Sequence, residues 1–184
     1  MRSPRVARRY AAALFGAALE AGLVPQVLDD LGRVRDVLQS NPDIERSLVT
    51  PRIPRGVKHH VIGRIFAESV SPLVLDFLHL CIDKRRPRIM DDVLEPYAAL
   101  RDEHENLARA AITTAVQLTE EQRQRLIEAL QSRTGKHVVA EFRVNPEILG
   151  GVLTVIGDTV VDGSLRHALG EMRERLHEAP VTIL

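Results

Sequence analysis

Several residue types on which particular protein classes depend are scarce in this sequence. Aromatic residues make up only 3% of the 184 residues and tryptophan is absent, which argues against a base-stacking platform for single-stranded nucleic acid. The single cysteine, Cys81, excludes an internal disulfide and is typical of a reducing compartment. No apolar run reaches the roughly 18 residues that a membrane-spanning helix needs. We therefore expect an aliphatic core of Leu, Val, Ile and Ala.

An excess of charge of either sign is also missing. Lys and Arg total 25 and Asp and Glu total 25, so the formal net charge is zero. A protein that binds nucleic acid through its phosphates usually carries excess positive charge. Two local basic clusters nevertheless occur, formed by Arg2, Arg5, Arg8 and Arg9 and by Lys84–Arg88. We interpret them as a solvated surface or the rim of a site for an acidic protein partner, with a nucleic-acid patch as the alternative.

The first half of the sequence predicts a series of helices. Prolines, glycines and capping residues divide it into segments with helical periodicity. The opening helix carries a stripe at spacings of four, three and four residues, formed by Val6, Tyr10, Ala13 and Ala17. A later helix, from Leu73 to about Asp83, is apolar on nearly all sides, which is typical of a central helix or of one that a partner covers. The last helix of this half is expected over residues 89–106, with a kink at Pro96.

The second half changes from helical to alternating periodicity, and the boundary lies near residues 104–110. Short β-branched or alternating runs predict strands at 111–116, 138–144, 152–156 and 159–161. Thr119 and Gln122 match a capping box that opens a helix closed by Gly135. A final helix is expected to start at residues 162–164. Its apolar stripe consists of Leu165, Leu169, Met172 and Leu176.

No constellation typical of a catalytic, nucleotide-binding or metal site is found. His104-Glu105 begins like a zinc-protease motif, but Ala108 stands where the second histidine is needed. His59 and His60 are adjacent and therefore lie on different helix faces, which does not suit a shared metal. Cys81 lies on an apolar face and is interpreted as a packed thiol. We therefore expect no catalytic residue, no metal and no cofactor.

The glycines of the second half predict backbone geometry and not phosphate binding. Gly150 and Gly151 come before a predicted strand, so they cannot place a pyrophosphate on a helix N-terminus. We interpret them as a bulge or a tight start of the strand. Gly157 and Asp158 predict a two-residue hairpin turn with glycine first.

The apolar faces of the opening helix and of the Leu73–Asp83 helix have two interpretations. They can be core alone, or they can line a groove that accepts an amphipathic partner helix. Periodicity does not separate the two. Composition and spacing therefore lead only to a two-domain soluble protein that fits a binding module.

Two motifs resemble a known family. The segment Ala7–Phe15, with the sequence ARRYAAALF, is similar to the opening helix of the delta subunit of bacterial F-type ATP synthase, a relative of the mitochondrial oligomycin-sensitivity-conferring protein. The segments Val144–Val152 and Ile156–Arg166 resemble the C-terminal signature of that family. The resemblance extends to about Leu176. The arginine-rich turn with Pro87 and the additional Pro96 depart from the family pattern.

The resemblance implies an α+β fold of two domains. It implies an N-terminal six-helix bundle at residues 1–106 and a small C-terminal α/β domain with a short mixed sheet at residues 107–184, with a frayed tail after about residue 177. It implies a non-catalytic peripheral-stalk, or stator, subunit without a cofactor. The subunit would lie on the cytoplasmic side of the bacterial plasma membrane, which it would meet only through the complex.

The resemblance also implies partners and surfaces. The first domain would bind N-terminal helices of the alpha subunits of the catalytic head, with beta subunits as a second candidate, and the second domain would bind b-type stalk subunits. The family's groove lies between its first and fifth helices, here the helices of Tyr10 and Leu80. The candidate groove residues are Tyr10, Ala13, Leu14, Ala17, Phe77, Leu80 and Cys81. The residues expected to set the backbone shape of the second domain are Gly150, Gly151, Gly157, Asp162 and Gly163.

Two other functions remain as alternatives. A helical RNA-binding module of the antitermination type also opens with an Arg- and Ala-rich helix. It predicts salt-sensitive RNA binding through Arg5, Arg8, Arg9 and Arg85–Arg88, and it leaves the second half unexplained. A small hydrolase would need a catalytic group that the sequence does not offer.

Overall fold

The computed structural model describes residues 4–157 and 159–178 of the chain. It divides into two compact units, Met1–His104 and Glu105–Leu184. Each unit has its own hydrophobic core. Of the predicted features, Arg2, Asp158 and the tail beyond residue 178 lie outside the described residues, as does the side chain of Leu176.

The described part of the first unit consists of helices and turns. Its helices are α1 (Pro4–Glu20), α2 (Val24–Ser40), α3 (Pro42–Val49), α4 (Arg55–Phe66), α5 (Pro72–Asp83), α6 (Ile89–Asp92) and α7 (Leu94–His104). Prolines stand at the start of α2, α3 and α5, where the missing N–H has no intrahelical acceptor to lose. Gly22, with a φ of 68°, allows the turn that follows α1.

The helix predicted over residues 89–106 is two helices, so the described part of the first unit has seven helical segments and not six. The break falls at Val93, between α6 and α7. Pro96 explains its place, because proline has no N–H for the carbonyl of Asp92 and its ring crowds that carbonyl. Pro96 then lies in the first turn of α7, where proline is tolerated. The helical ladder resumes with the N–H of Tyr97, which donates to the Val93 carbonyl at 3.0 Å.

The core of the first unit is aliphatic, as the composition predicts, with one large polar exception. Tyr97 is its largest fully buried side chain. The hydroxyl group of Tyr97 donates a hydrogen bond to the carbonyl oxygen of Val24 at 3.2 Å. Burial raises the pKa of Tyr97 to about 12. The ring therefore contributes apolar area while its hydroxyl group keeps a partner.

A buried carboxylate connects two helices of this core. Asp30 on α2 is 1% exposed. One of its oxygens accepts the backbone N–H of Ser71 at 2.7 Å, directly before α5. The other accepts a hydrogen bond from Arg33 at 3.1 Å. Because a buried carboxylate needs partners, these bonds fix the start of α5 against α2.

The second unit combines a four-stranded sheet with two α-helices and a short 3-10 helix, Pro146–Ile148, over its described residues. Its elements are β1 (Leu107–Thr114), α8 (Glu120–Thr134), β2 (His137–Val144), β3 (Gly151–Ile156), β4 (Thr159–Ser164) and α9 (Leu165–Glu178). The strand order is β2-β1-β3-β4. β1 and β2 are parallel, whereas the other two pairs are antiparallel, so the predicted mixed sheet is confirmed.

The helix α8 returns the chain between the parallel strands and starts and ends as its sequence predicts. The Thr119 hydroxyl oxygen accepts the N–H of Gln122 at 3.3 Å, and the Gln122 side chain accepts the N–H of Thr119 at 3.0 Å. Gly135 follows the helix in the left-handed conformation, with a φ of 66°. The capping box is therefore confirmed.

The final helix begins later than predicted. Asp162, Gly163 and Ser164 pair with β3 as the end of β4, and α9 starts at Leu165. The hydroxyl oxygen of Ser164 accepts the N–H of His167 at 3.2 Å, so Ser164 caps the helix from its position in the strand. The Asp162 carboxylate accepts the N–H of Ser164 at 2.9 Å. Hydrogen bonding from Ser164 holds the pKa of Asp162 below its usual value.

Candidate helix-binding groove

An open groove of about 660 Å³ lies between α1 and α5 in the first unit. Its lining residues are Arg5, Val6, Arg9, Tyr10, Ala13, Leu80, Lys84 and Arg86. Val6, Tyr10 and Ala13 share one face of α1 because they are spaced by four and three residues. The groove therefore has an apolar strip along α1, faced by Leu80 of α5.

Aromatic contact holds the two walls of the groove in register. The rings of Tyr10 and Phe77 meet edge to face, with centroids 6.4 Å apart and an angle of 72° between their planes. Phe77 is 6% exposed, whereas Tyr10 is half-buried. The buried Phe77 ring thus supports the Tyr10 ring at the surface, in an arrangement that aromatic pairs prefer.

The structure divides the seven predicted groove residues into an exposed and a buried set. Tyr10, Ala13 and Leu80 line the groove, and Leu80 is 43% exposed. Ala17 is half-buried on the same helix and does not line the groove. The buried residues are Leu14, Phe77 and Cys81. These three lie in the core beneath the groove, so their side chains are not part of the exposed surface.

Cys81 is the most enclosed of the buried set. It is 0% exposed, and burial raises the pKa of its thiol to about 12. A thiol with this pKa stays protonated near neutral pH and is a poor nucleophile and a poor metal ligand. The interpretation of Cys81 as a packed thiol is confirmed.

The basic residues of the groove were not assigned to it from the sequence. Arg5 and Arg9 are four residues apart and therefore follow the same side of α1 as the apolar strip. Lys84 follows Leu80 by four residues. Both spacings can be read from the sequence. They assign the four residues to one groove only when α1 and α5 are known to be neighbours in space.

Arg86 reaches the groove through the way in which α5 ends. Arg85 has a φ of 56°, the left-handed conformation that usually requires glycine. The N–H of Arg86 donates to the Cys81 carbonyl at 2.8 Å, and the N–H of Arg85 donates to the Ile82 carbonyl at 2.9 Å. This pair of bonds is the Schellman ending of a helix, here with arginine in place of glycine. It turns the basic segment Lys84–Arg88 back beside the end of α5.

Two of the histidines of the first unit, His59 and His79, form a hydrogen-bonded cluster with Asp83. Nδ1 of His59 lies 2.7 Å from Nδ1 of His79. Nε2 of His59 lies 3.0 Å from a carboxylate oxygen of Asp83. Both ring nitrogens of His59 are therefore engaged. Among residues 4–157 and 159–178, no group of three or more His, Cys, Asp or Glu side chains is arranged to hold a metal ion.

Two of the predicted glycines of the second unit, Gly150 and Gly151, lie where a Cβ atom would come too close to its neighbours, whereas Gly157 has open space around it and is distinguished by its backbone conformation. Gly151 has a φ of 78°, and a Cβ atom there would lie 2.1 Å from the carbonyl oxygen of Gly163. A Cβ atom at Gly150 would lie 2.6 Å from Leu165. Gly157, in the β3–β4 hairpin, has a φ of 55°. The close approach of β3 and β4 at Gly151 therefore requires glycine.

A second apolar surface lies on α9. Leu165, Leu169 and Met172 are spaced by four and three residues, and they are 53%, 56% and 61% exposed. An apolar helix stripe with this exposure is unusual for a solvent-facing helix.

None of the helices in the described part of the chain is both long enough and apolar enough to cross a bilayer.

Comparisons with known proteins agree with this architecture. Residues 6–176 match the family described as ATP synthase delta (OSCP) subunit. The ATP synthase subunit delta of Chlorobium phaeovibrioides is 36% identical over 176 residues, which cover 96% of this chain and 97% of that protein. The ATP synthase subunit delta of Salinibacter ruber is 34% identical, over 96% of this chain and 93% of that protein.

A solved structure has the same fold. A chain in the mitochondrial ATP synthase hexamer of Toxoplasma gondii superposes with a TM-score of 0.64, at 23% identity, over 95% of this chain and 98% of that one. The fold and the groove together define a two-unit α+β protein whose helical unit presents an apolar groove beside a basic segment. The chain belongs to the ATP synthase delta (OSCP) subunit family and is a component of the peripheral stalk of ATP synthase.

Proposed function

We propose that this subunit is a non-catalytic stator that links the catalytic head of the synthase to its stalk. Torque from the rotating shaft acts on the head, and an unanchored head would turn with the shaft. An anchored head instead lets proton flow drive ATP formation. In this proposal the subunit lies on the cytoplasmic side of the bacterial plasma membrane and meets the membrane only through the complex.

The groove between α1 and α5 is the observation that carries the proposal. Its strip of Val6, Tyr10 and Ala13, faced by the exposed Leu80, offers an apolar surface on which the apolar face of one helix can pack. Ala13 lets a second helix come close because its side chain is small. We assign this groove to the amphipathic N-terminal helix of an alpha subunit, and we include beta subunits among the further partners in the catalytic head. Burial of apolar area contributes roughly 25 cal/mol per Å² before the costs of association.

In this proposal the second unit binds the peripheral stalk. The exposed stripe of Leu165, Leu169 and Met172 on α9 is the kind of face that a long stalk helix covers. We assign it to the b-type subunits of the peripheral stalk. Gly150, Gly151, Gly157, Asp162 and Gly163 would shape the backbone that carries α9 and would not contact a reactant.

The test is calorimetric titration of the full-length protein with a synthetic peptide of the alpha subunit's N-terminal helix. Two leucines offer a matched pair of variants, because Leu80 is 43% and Leu19 is 46% exposed while only Leu80 lines the groove. Leu80→Asp should weaken binding roughly ten- to a hundredfold, the loss expected for one buried leucine. Leu19→Asp should leave the affinity unchanged.

Circular dichroism of both variants establishes that the helices remain folded. Equal affinities of Leu80→Asp and Leu19→Asp would remove the groove from the proposal. A wild-type protein that does not bind the peptide would contradict the link to the catalytic head through this unit.

A further inference from the structure

The charge in the groove is of one sign, although the chain as a whole is neutral. Four of its eight lining residues, Arg5, Arg9, Lys84 and Arg86, are cationic, and none is acidic. All four are exposed. Within residues 4–157 and 159–178, none of the four forms an ion pair with another side chain. The part of the groove that the structure describes thus has a basic rim, formed by Arg5, Arg9, Lys84 and Arg86, and no acidic residue among its lining.

The basic rim lies at one end of the groove. Arg5 and Arg9 belong to the first half of α1, whereas Lys84 and Arg86 follow the last turn of α5. The contact between Tyr10 and Phe77 lies farther from this end, because Tyr10 follows Arg5 and Arg9 on α1 whereas Phe77 precedes Leu80 and Lys84 along α5. The cations therefore cluster where α1 begins and α5 ends. The lining farther along α1 ends with the uncharged Ala13.

We propose that the helix bound in this groove carries carboxylates beside its apolar stripe, near one end only, and that these pair with the basic rim. The inference rests on the proposed function of the groove and adds the chemistry of its occupant. Arg5 and Arg9 are separated by four residues, about 6 Å along a helix. Two carboxylates four residues apart on the partner helix match this distance. The pairing makes the groove selective among amphipathic helices, because an apolar stripe alone fits many of them.

A protein helix fits this surface better than RNA does. The apolar strip beside the cations includes Val6, Ala13 and Leu80, which give RNA nothing to pair with or stack on. Tyr10 is the only aromatic side chain in the lining. Base recognition in single strands usually relies on several aromatic or planar side chains. The combination of an apolar strip and a basic rim instead matches an amphipathic acidic helix.

The test uses three designed peptides of about 18 residues, five turns of helix, with one common leucine and alanine stripe. The acidic peptide has two glutamates four residues apart near one end, the neutral peptide has glutamines there, and the basic peptide has lysines. Calorimetry with the full-length protein should rank the affinities acidic, neutral, basic. The acidic peptide should bind roughly three- to tenfold more tightly than the neutral one, as two exposed ion pairs predict. Added salt should remove most of this difference.

Charge reversal provides the matched control. The double variant R5E/R9E leaves two glutamates opposite Lys84 and Arg86, so the rim has no net charge and the preference among the three peptides should be lost. The double variant R52E/R64E changes the net charge equally at exposed positions outside the groove lining, and it should keep the order. The same titrations with Leu80→Asp should weaken all three peptides together.

The outcomes separate this inference from the proposed function. If the three peptides bind equally and Leu80→Asp abolishes their binding, the groove binds helices but the basic rim does not select among them, and this inference is wrong. Binding that Leu80→Asp leaves intact would overturn both. A short RNA hairpin that binds more tightly than the acidic peptide, and does so through Arg5 and Arg9, would identify the rim as a nucleic-acid patch and contradict the inference.

Discussion

The two units of this chain differ in how much of their stability comes from buried side chains and how much comes from backbone pairing. One cluster of twenty-two buried residues fills the first unit, whereas the core cluster of the second unit has five, among the residues described. The second unit compensates with continuous strand pairing, including eight paired positions between β1 and β2. The helical unit is thus specified mainly by side-chain burial. The sheet unit depends more on strand register and on the few positions where only glycine fits.

The largest effect is expected from Ile112→Ala, which tests how strongly the stability of the second unit depends on its small core. Ile112 is 0% exposed at the centre of the five-residue core. Its truncation should cost about 2–5 kcal/mol. We expect the amide signals of β1–β4 in an NMR spectrum to be lost at a lower temperature than those of α1–α7.

A matched truncation in the first unit completes this test. Leu31 is also 0% exposed, but it lies in the larger cluster. Leu31→Ala should cost a similar free energy and should lower the melting temperature of the helical signals. If Ile112→Ala shifts the helical and sheet signals equally, the two cores do not unfold separately and the comparison is wrong.

A smaller effect is expected from Gly151→Ala, which tests the dependence of the second unit on backbone geometry. The φ of 78° and the close approach to the Gly163 carbonyl oxygen both oppose a side chain. Urea denaturation should show a loss of more than about 1 kcal/mol. A Cβ atom at Gly170 in α9 would meet no other atom within 4 Å, so Gly170→Ala should be neutral or stabilise by up to about 1 kcal/mol. Changes of the same sign at both glycines would argue against a special role for Gly151.

The smallest effect is expected from Tyr97→Phe, which tests the polar exception in the aliphatic core. Loss of the hydrogen bond to the Val24 carbonyl should cost about 0.5–1.5 kcal/mol at neutral pH. The pKa of Tyr97 is about 12 in the folded protein against an ordinary 10.0. Folding therefore favours the protonated phenol, and this contribution is complete below about pH 10 and declines as the pH rises towards about 12.

The measurement is urea denaturation of both proteins across this alkaline range. Tyr97→Phe should lack the decline, so its deficit relative to the wild type should shrink between about pH 10 and 12. The raised pKa of Cys81 acts in the same direction in both proteins and cancels in the difference. A deficit that is constant with pH would show that Tyr97 does not titrate in this way.

Local chemistry made some elements predictable. Both ends of α8 could be predicted from the sequence, because the capping box of Thr119 and Gln122 and the left-handed Gly135 depend only on residues that are close in sequence. β1 begins at Leu107, four residues before the predicted run, because alternation of alanine with arginine there hides the buried face. β4 continues through Asp162–Ser164 because Gly151 allows the close approach of its partner strand.

The groove shows where sequence reasoning stops. Leu80 and Cys81 are adjacent on an almost uniformly apolar helix, yet one is 43% and the other 0% exposed. Their side chains point about 100° apart, and only the neighbouring helices decide which of them is covered. The same holds for Arg5 and Lys84, which are far apart in sequence and share one cavity lining. Periodicity identifies a helical face, but it does not identify its neighbour.

The enclosure of Cys81 has a practical consequence for spectroscopy. The chain has no other sulfhydryl group, so a cysteine engineered onto the surface would be the sole rapid target of a maleimide dye under native conditions. Fluorophores can therefore be attached at chosen positions without first deleting a natural residue. Such labels would let single-molecule experiments follow the position of this subunit within the assembled ATP synthase.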